Sequence, residues 1–583
     1  MGREGVGLIS ISDKLADAFK RGAGENSPPD TGTPANQATL AWQALALFAL
    51  ALLVRLLGNA SLPVHRDEFF HFLAAQSWAD NGSLAILDGA YPRASSYTVL
   101  TGLGFLLFDQ SGLFVARLPA LLAGALLVPA VFVWARRRIS PRAAWIAALL
   151  VCFADLMIEV SQFTRFYTLQ ALFVWIGSAA VYSALHDRKS IGTATVWLAT
   201  AGACFLSALH LQVTTIIHLA GIGLYLAAYA VSRPRISSFL AQQRYRLWLI
   251  GGAAALLAAV IAIAPRLPFD EFRDTSYWAR EHRDDVLYYV RIFLDRFLIL
   301  TLIFPLSIWL AVSRRSRAGL FCLTLFGTAF VAHSLAGMKS FRYIIYALPF
   351  FFVLIAIAFD FLLSALSPVV VSMLKRAEDM RWIRIADRSR PIVTVTILVL
   401  GTFLAIAGNR AYAHTLKRIV IDTHRVILNP SSFAQEPPDR SWRAAAPRLR
   451  AAIGTPSLFV VADDMRTVHY LGPFDLLISR SRVSDISPPV EFGTDFRTGR
   501  RVVGSGETLA EVAACYPDGV ILAPADRWEL DSAVPPDVKA AIHAFAVPVT
   551  PGVDGFHLFR WRHPVHGVRC QDIRAMIEDH SPR

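Results

Sequence analysis

Long apolar stretches, most of them about twenty residues in length, recur along this chain between short connections that carry arginine and lysine. A helix needs roughly twenty apolar residues to cross the roughly 30 Å of hydrocarbon in a bilayer. Of the 583 residues, 55% are hydrophobic and 17% are charged, which is not a soluble composition. The pattern predicts a polytopic α-helical membrane protein.

The net charge of +13 comes from basic residues that gather between the apolar stretches. This distribution is typical of cytoplasmic loops under the positive-inside rule, and it argues against nucleic acid as a partner. Residues 1–37 are too polar to bury a core, so we expect them to be disordered. Lys14, Lys20 and Arg21 precede the first span at 38–60 and predict a cytoplasmic N-terminus.

The topology depends on whether the apolar segment 96–108 crosses the membrane, because this sets the side on which all later connections lie. The segment is too short to span a membrane. We predict that it lies in the membrane interface, which leaves the arginines after span 114–135 in the cytoplasm. About eleven spans follow from this choice, and the C-terminus is then external. The other spans are predicted at 143–160, 166–185, 192–209, 212–231, 247–264, 286–312, 319–338, 343–366 and 391–409.

From about residue 410 the apolar stretches shorten and strand-like segments alternate with helix-like ones. This alternation predicts an extracytoplasmic α/β domain over 410–583 beside a transmembrane domain over 38–409. The domain sequence lacks a glycine-rich phosphate loop, so we expect a cap or an acceptor-docking module without chemistry of its own. Strands are predicted at 457–462, 519–523 and 555–561, and helices at 507–515 and 536–545.

The five cysteines fall into two groups. Cys152, Cys204 and Cys322 lie in apolar stretches and are expected to be small core residues. Cys515 and Cys570 lie in the polar C-terminal part and can form a disulfide if that part is outside the cytoplasm. The sequence contains no convincing metal-ligand spacing, so no metal is expected.

A polar stretch, His65-Arg66-Asp67-Glu68, follows directly on the first span and leads into an aromatic run. Ionisable groups near the membrane are costly and usually have a partner or a task. Neighbouring helical residues point about 100° apart, so one acid can face a cavity while the other pairs with Arg66 or His65. A positioned carboxylate here can act as a general base. The alternative is a surface ion pair between Arg66 and Asp67.

Further charges lie on three connections that open to the same outer side. Arginine binds phosphate through two-pronged hydrogen bonds, and lysine binds it as a point charge. Arg165, Lys339 and Arg342 are therefore predicted to bind a lipid phosphate and to stabilise the charge that develops on it. Arg342 can instead snorkel at a helix end, and 270–285 can be a solvated loop. The connections contribute Asp155, Glu159, Arg165 and Tyr167; the stretch 269–278; and the stretch 338–343.

Over roughly residues 38–350 the order of these parts resembles the GT-C glycosyltransferases. The nearest branch contains the protein O-mannosyltransferases and the bacterial aminoarabinose and related lipid-sugar transferases. The resemblance rests on the first span, the loop opening with Asp67-Glu68, the short interfacial segment, Val115-Ala116-Arg117-Leu118-Pro119-Ala120, Arg136 to Arg138, and Thr164-Arg165-Phe166-Tyr167.

The resemblance implies an inverting transfer of a sugar from a polyprenyl-phosphate donor at the outer membrane face. Asp67 or Glu68 would be the catalytic base, and the choice between them stays open. Arg165 matches the arginine of an Arg-Phe/Tyr-Tyr stretch in that family. The late basic-aromatic site near the donor phosphate corresponds to Lys339, Arg342 and Tyr343, and the predicted substrate ligands are His65, Arg66, Tyr167, Asp270 and Tyr277.

The chain departs from the mannosyltransferases because it lacks a MIR-type insertion and has an α/β tail. We therefore expect a bacterial inner-membrane enzyme that adds the sugar to a lipid or cell-envelope glycan, without a cofactor or an obligatory metal. The site is expected between the first external loop, the outer helix ends and the C-terminal domain, with 266–285 closing over the donor. The alternative is a lipid-linked-sugar flippase, which the missing repeat and the rim position of the charges disfavour.

Overall fold

The structure, a computed structural model, describes residues 34–57, 59, 62–187, 190–232, 285–337, 339–380, 389–430, 440–480 and 492–578. The segment expected to be disordered, up to residue 33, and the span predicted at 247–264 lie outside these residues. The chain divides into two compact units. The helical unit contains the described residues of Met1–Gly58, Ala120–Gln162 and Phe166–Phe433, and the sheet unit those of Asn59–Pro119, Phe163–Arg165 and Ala434–Arg583.

Up to residue 430 the described chain is almost entirely helical. Its only described strands are β1 (Ala85–Ile86) and β2 (Gly89–Ala90), and two short 3-10 helices, Phe341–Tyr343 and Ile345–Ala347, precede α13. The helices are α1 (Pro34–Leu57), α2 (Glu68–Asn81), α3 (Ser95–Phe108), α4 (Leu113–Arg138), α5 (Pro141–Phe153), α6 (Asp155–Ser161), α7 (Tyr167–His186), α8 (Ile191–Leu211), α9 (Thr215–Val231), α10 (Tyr288–Arg296), α11 (Leu298–Ser313), α12 (Arg317–Leu335), α13 (Leu348–Asp379), α14 (Arg390–Ala407) and α15 (Arg410–Leu428).

Seven helices among the described residues are long and apolar enough to cross a membrane, and up to nine spans result if two bent helix pairs each count as one. The chain is therefore a polytopic helical membrane protein, as predicted. The segment predicted to span at 212–231 forms α9, which has only 17 residues. The segment predicted to lie in the interface forms α3, whose 14 residues are too few for a span.

Two of the predicted spans are broken helices. The axes of α5 and α6 differ by 55°, and those of α10 and α11 by 111°. The breaks fall at Ala154 and Phe297, whose φ and ψ leave the helical region (−65° and 121°; −128° and 42°). Predicting one helix over each segment missed these breaks because apolar composition does not report a change of direction.

The C-terminal part of the chain forms a mixed α/β domain, as predicted. Its elements are α16 (Arg440–Ile453), β3 (Phe459–Val461), α17 (Asp464–Tyr470), β4 (Leu476–Ile478), β5 (Phe492–Thr494), β6 (Arg501–Val503), α18 (Gly506–Ala514), β7 (Asp518–Pro524), α19 (Ala525–Trp528), α20 (Pro536–Phe545), β8 (Val547–Pro548), β9 (Phe556–Arg562) and α21 (Cys570–Glu578). The seven strands lie in the order β5-β6-β4-β3-β7-β9-β8. Strands β6, β4, β3 and β7 are parallel, and the other pairs are antiparallel.

These elements agree with the sequence-based expectations to within a few residues. The helix expected at 536–545 is α20 with the same bounds. The strands expected at 519–523 and 555–561 are β7 and β9. The strand expected at 457–462 is shortened to β3, although the Leu458 carbonyl and the Ala462 amide on either side of it still bond to the backbone of β7.

The sheet is covered on both faces, and one covering layer comes from the loop after the first span. Phe69 and Phe72 of α2 belong to the same apolar core as Val461 of β3 and Leu522 of β7, to which α16 and α17 also contribute. The opposite face packs on α18, α20 and α21. The first loop and the C-terminal domain are therefore one folded body, which places both on the same side of the membrane.

The β1–β2 hairpin also contacts the C-terminal domain closely. The amide of Asp88 donates to the Thr498 carbonyl at 3.1 Å. A Cβ on Gly89 would lie 2.4 Å from the carbonyl carbon of Arg497, so this approach requires glycine.

The cysteines follow the predicted grouping with one exception. Cys515 and Cys570 form a disulfide across 55 residues. Cys152 and Cys322 are buried free thiols, but Cys204 is partly exposed because most of α8 is exposed.

Candidate active site

Glu68, the first residue of α2, is fully buried and bonded through both carboxylate oxygens. Arg117 donates from Nε to Oε2 and from Nη2 to Oε1, each at 2.8 Å. The backbone amides of Thr164 and His65 each donate at 2.9 Å, and the Thr164 hydroxyl donates at 3.2 Å. Such a carboxylate is well suited to anchor the loop and poorly placed to receive a proton from a substrate.

Arg117 lies in the second turn of α4 and ties the start of the first loop to Glu68. Its Nη1 donates to the carbonyls of Asn59 at 2.9 Å and Leu62 at 3.3 Å. The side chain is fully buried. Because a buried charge is tolerated only when paired and hydrogen-bonded, Arg117 and Glu68 depend on each other.

Asp67, one residue earlier, has a different environment. Its side chain is 27% exposed, and its Oδ2 lies 3.8 Å from Nδ1 of His65. Its amide donates to the same His65 nitrogen at 3.2 Å. Of the two predicted catalytic acids, Asp67 is thus the one that solvent or a substrate can reach.

Arg165 lies beside Asp67 in the sheet unit. Its side chain is nearly buried, and Nη1 donates to the backbone carbonyl of Asp67 at 3.2 Å. This contact fixes the guanidinium next to the acid.

His71 lies one helical turn after Asp67, on the same side of α2. It is fully buried and shares a hydrogen bond of 2.8 Å between Nδ1 and the Thr98 hydroxyl. Burial lowers the pKa of His71 well below its ordinary value, and the charges of Arg165 and Arg93 lower it further. His71 is therefore neutral at pH 7 and acts as a hydrogen-bonded polar residue of the core.

Arg66 points into the C-terminal domain. Its Nη2 donates to Oδ1 of Asp464, and its Nε lies 3.5 Å from Oδ1 of Asp463. Both carboxylates are fully buried. The alternative that Arg66 forms a surface ion pair with Asp67 is replaced by this pairing with the C-terminal domain, while its predicted contact with substrate stays a prediction.

In the helical unit, Tyr167, Arg342 and Tyr343 form one cluster. The Arg342 guanidinium carbon lies 6.0 Å from the ring centre of Tyr167 and 5.8 Å from that of Tyr343. Lys339 is directed to the end of α12, where Nζ donates to the carbonyls of His333 at 3.2 Å, Ser334 at 2.5 Å and Ala336. A cation in this position stabilises a helix C-terminus.

A second acid, Asp155, lies at the helix break between α5 and α6. Asp155 is buried at the start of α6 and accepts from Nη1 of Arg296 at 2.5 Å. His414 Nδ1 lies 3.9 Å from the same carboxylate. This predicted rim acid is thus held in an ion pair within the helical unit.

Several predicted site residues cannot be placed together. Asp270 and Tyr277 lie outside the described residues, as does 266–284 of the segment expected to close over the donor. The predicted convergence of Asp67 and Arg165 with Arg342 stays a prediction, because these residues belong to different units.

Sequence reasoning missed the residues that support the acids. Arg117 is a charge in the opening of an apolar span, which was a usable signal because such charges are costly. Asp463 and Asp464 come directly after the strand predicted at 457–462, and nothing in the sequence links them to Arg66. Among the residues that the structure describes, no group of three or more histidines, cysteines or acids is arranged to hold a metal.

Comparison with known proteins identifies the fold of this chain. No protein-family model and no curated protein matches the sequence significantly. Solved structures do match, and they are GT-C glycosyltransferases that use polyprenyl-phosphate sugars. The protein therefore has the GT-C fold, which confirms the predicted resemblance at the level of architecture.

Two proteins from different organisms illustrate the likeness. ArnT from Cupriavidus metallidurans matches with a TM-score of 0.57 and 17% identity in its apo state, over 90% of this chain and 98% of ArnT. Its complex with undecaprenyl phosphate matches with the same TM-score, 18% identity and 99% coverage of ArnT. The archaeal oligosaccharyltransferase AglB from Archaeoglobus fulgidus, in complex with an inhibitory peptide and a dolichol-phosphate, matches with a TM-score of 0.51 and 12% identity, over 87% of this chain and 72% of AglB.

Proposed function

We propose that this protein is an inverting glycosyltransferase that moves a sugar from a polyprenyl-phosphate donor to a lipid or cell-envelope glycan. Its fold is shared with ArnT, which binds undecaprenyl phosphate, and with AglB, which binds dolichol-phosphate. The observation that carries the proposal is the contrast between two adjacent acids, of which Glu68 is fully bonded and Asp67 is accessible beside a buried arginine.

We assign the general base to Asp67. A base needs an oxygen that an acceptor hydroxyl can reach, and the 27% exposure of the Asp67 side chain supplies one. The acceptor oxygen attacks the anomeric carbon from the face opposite the phosphate while Asp67 takes its proton. The bond between the anomeric carbon and the phosphate oxygen breaks, and polyprenyl phosphate leaves with the bonding electrons, so configuration inverts.

We assign binding of the donor phosphate to Arg165 and Arg342. Both are cations beside groups that orient them: the Asp67 carbonyl for Arg165, and two tyrosine rings for Arg342. Positive charge here stabilises the phosphate as it leaves. Lys339 would have to release three carbonyls to reach a phosphate, so its first task is to hold the segment after α12.

We place the protein in a bacterial inner membrane with a cytoplasmic N-terminus and an external C-terminal domain, with about eleven spans if α9, the bent pairs and 247–264 all cross. The Cys515–Cys570 disulfide supports an oxidising side for the sheet unit. Arg136, Arg137 and Arg138 end α4, and the other end of this helix leads from the first loop. An arginine cluster at the end of α4 that faces away from the first loop agrees with the positive-inside rule if that loop is external. The exposed apolar residues of α3, among them Leu106 and Leu107, suit an interfacial helix.

The test uses purified protein and a panel of undecaprenyl-phosphate sugars, labelled in the sugar, with a bacterial membrane lipid extract as acceptor. We expect label to move from one donor to an acceptor lipid or glycan. Asp67→Asn should lower turnover by roughly a hundred- to ten-thousand-fold. The matched control is Asp109→Asn, an exposed aspartate of the same loop with φ of 47°, a conformation that asparagine tolerates.

Two results would contradict the proposal. Wild-type turnover in Asp67→Asn would exclude this residue as the base. Movement of labelled donor across inverted vesicles without acceptor, and without a new glycoside, would indicate a flippase instead.

A further inference from the structure

We infer that the C-terminal domain positions the proposed catalytic base, and that Asp463 and Asp464 do so by holding Arg66. This inference rests on the proposed function, because it concerns the placement of Asp67. It gives the α/β domain a role in catalysis although its own residues do not touch the substrate.

The topology of the sheet shows why Arg66 binds where it does. From β3 the chain moves outward to β4 and β6, and then returns through α18 to β7 on the other side of β3. Open α/β sheets bind ligands at the carboxyl ends of the strands, at the point where the strand order reverses in this way. Here that point lies between β3 and β7, and Asp463 and Asp464 follow β3 after a single residue, Ala462.

In this crevice the bound group is a side chain of the protein itself. The Arg66 guanidinium contacts both carboxylates, Asp464 through Nη2 and Asp463 through Nε at 3.5 Å. Asp463 is fixed in turn because its Oδ1 caps α17 by accepting from the Arg466 amide at 3.2 Å. The planar guanidinium suits this bridging of two carboxylates better than the point charge of lysine does.

Two further arginines, Arg466 and Arg527, lie at the same crevice. Arg466 Nη1 lies 3.7 Å from Asp463 and 3.3 Å from Asp526, which follows β7. Arg527 donates from Nε to the Ala462 carbonyl at 3.4 Å. Burial raises the pKa of Asp463, and the charge of Arg66 opposes this. Arg66 thus helps to keep the buried acid ionised.

Asp67 lies between two anchored neighbours. On one side Arg66 is held by the C-terminal domain, and on the other Glu68 is held by Arg117 and Thr164. The Asp67 backbone also receives the Arg165 guanidinium on its carbonyl. A displacement of a reacting group by about 1 Å can cost on the order of a hundredfold in rate, so loosening one anchor should affect turnover.

The experiment replaces the acids by their uncharged isosteres in the full-length protein. We expect Asp464→Asn, and more strongly Asp463→Asn with Asp464→Asn, to lower kcat about ten- to a hundredfold with KM for the undecaprenyl-phosphate donor within about twofold. Hydrogen exchange of residues 64–68 should rise in the same variants. Arg66→Lys should retain more turnover than Arg66→Gln, because it keeps the charge.

The matched control is Asp526→Asn. This aspartate lies at the same edge of the sheet and pairs with Arg466, but its side chain is 60% exposed and it does not contact Arg66 in any hydrogen bond or ion pair that the structure describes. Turnover and exchange of residues 64–68 should stay at wild-type values.

The outcomes separate this inference from the proposed function. Wild-type kcat and exchange in the Asp463 and Asp464 variants, with Asp67→Asn inactive, would overturn the inference and leave the proposed function standing. A rise in donor KM with unchanged kcat would make Arg66 a substrate ligand and also overturn it.

If the wild-type protein uses no donor of the panel, the proposed function fails, and hydrogen exchange alone decides whether the acids hold the loop. If the double variant does not fold, the single variant Asp464→Asn and the comparison of Arg66→Lys with Arg66→Gln test the inference instead.

Discussion

Arg117 contacts both carboxylate oxygens of Glu68 at 2.8 Å, and neither side chain is exposed to solvent. This pair joins the start of α2 to the start of α4 across 49 residues of sequence. It explains why two adjacent acids in one loop have different environments.

Glu68→Gln should destabilise the protein by about 3–5 kcal/mol, because it leaves the Arg117 charge buried without its partner. Replacing both residues together, as Glu68→Leu with Arg117→Met, should recover much of that loss. Denaturation midpoints in detergent would measure both effects. Arg410→Ala is the control, since its ion pair with Asp295 is exposed and should contribute less than about 1 kcal/mol. A stable but inactive Glu68→Gln protein would instead place Glu68 in the chemistry.

Stability should fall in acid because His469 is partly buried against two aromatic rings of α2, those of Phe69 and Phe72. Burial, and secondarily Arg443, lower the pKa of His469 to about 4, whereas the unfolded chain has a value near 6.5. The unfolded state therefore binds a proton first as pH falls from about 6.5 to about 4, and up to roughly 3 kcal/mol of stability is lost in that window. Above about 6.5 the contribution is constant.

The check compares unfolding midpoints at several pH values in wild-type protein and in His469→Gln. The glutamine variant should show a flatter dependence between about pH 4 and 6.5. Equal slopes in the two proteins would show that His469 is not the group responsible.

Removing the Cys515–Cys570 disulfide should destabilise the C-terminal domain. A cross-link that closes 55 residues restricts the unfolded chain by about 4 kcal/mol on the loop-entropy model. Cys515→Ala with Cys570→Ala should lower the denaturation midpoint, whereas Cys204→Ala, a partly exposed free thiol, should not. Labelling of all five cysteines without reductant would contradict the disulfide.

Lys339 and Arg342 are near neighbours in sequence but should respond differently to substitution. Lys339→Met should lower stability by about 1–2 kcal/mol with little change in donor KM, because its ammonium caps α12. Arg342→Gln should raise donor KM about tenfold to a hundredfold, since a charged hydrogen-bonding partner of the phosphate is lost. Steady-state kinetics and thermal unfolding on the same preparations separate the two. Equal donor KM changes in both variants would return Lys339 to the phosphate site.

Much of the architecture was predictable because it depends on local properties of the chain. The length of an apolar stretch sets whether a helix can span, so α4 and α7 were found within a few residues. The bounds of α20 followed from its helical pattern and flanking prolines. The acids at 67 and 68 were predicted to form a site because an ionisable group near a membrane is costly and usually has a partner or a task.

What the sequence determined by itself was therefore the class of fold and the loop that carries the acids. Only the tertiary structure decided that Glu68 is an anchor, that Asp67 is accessible, and that Arg66 belongs to the C-terminal domain. The physical reason is distance along the chain: Arg117 lies 49 residues from Glu68 and Asp464 lies 398 residues from Arg66. No local pattern records which of many possible partners a buried charge will meet.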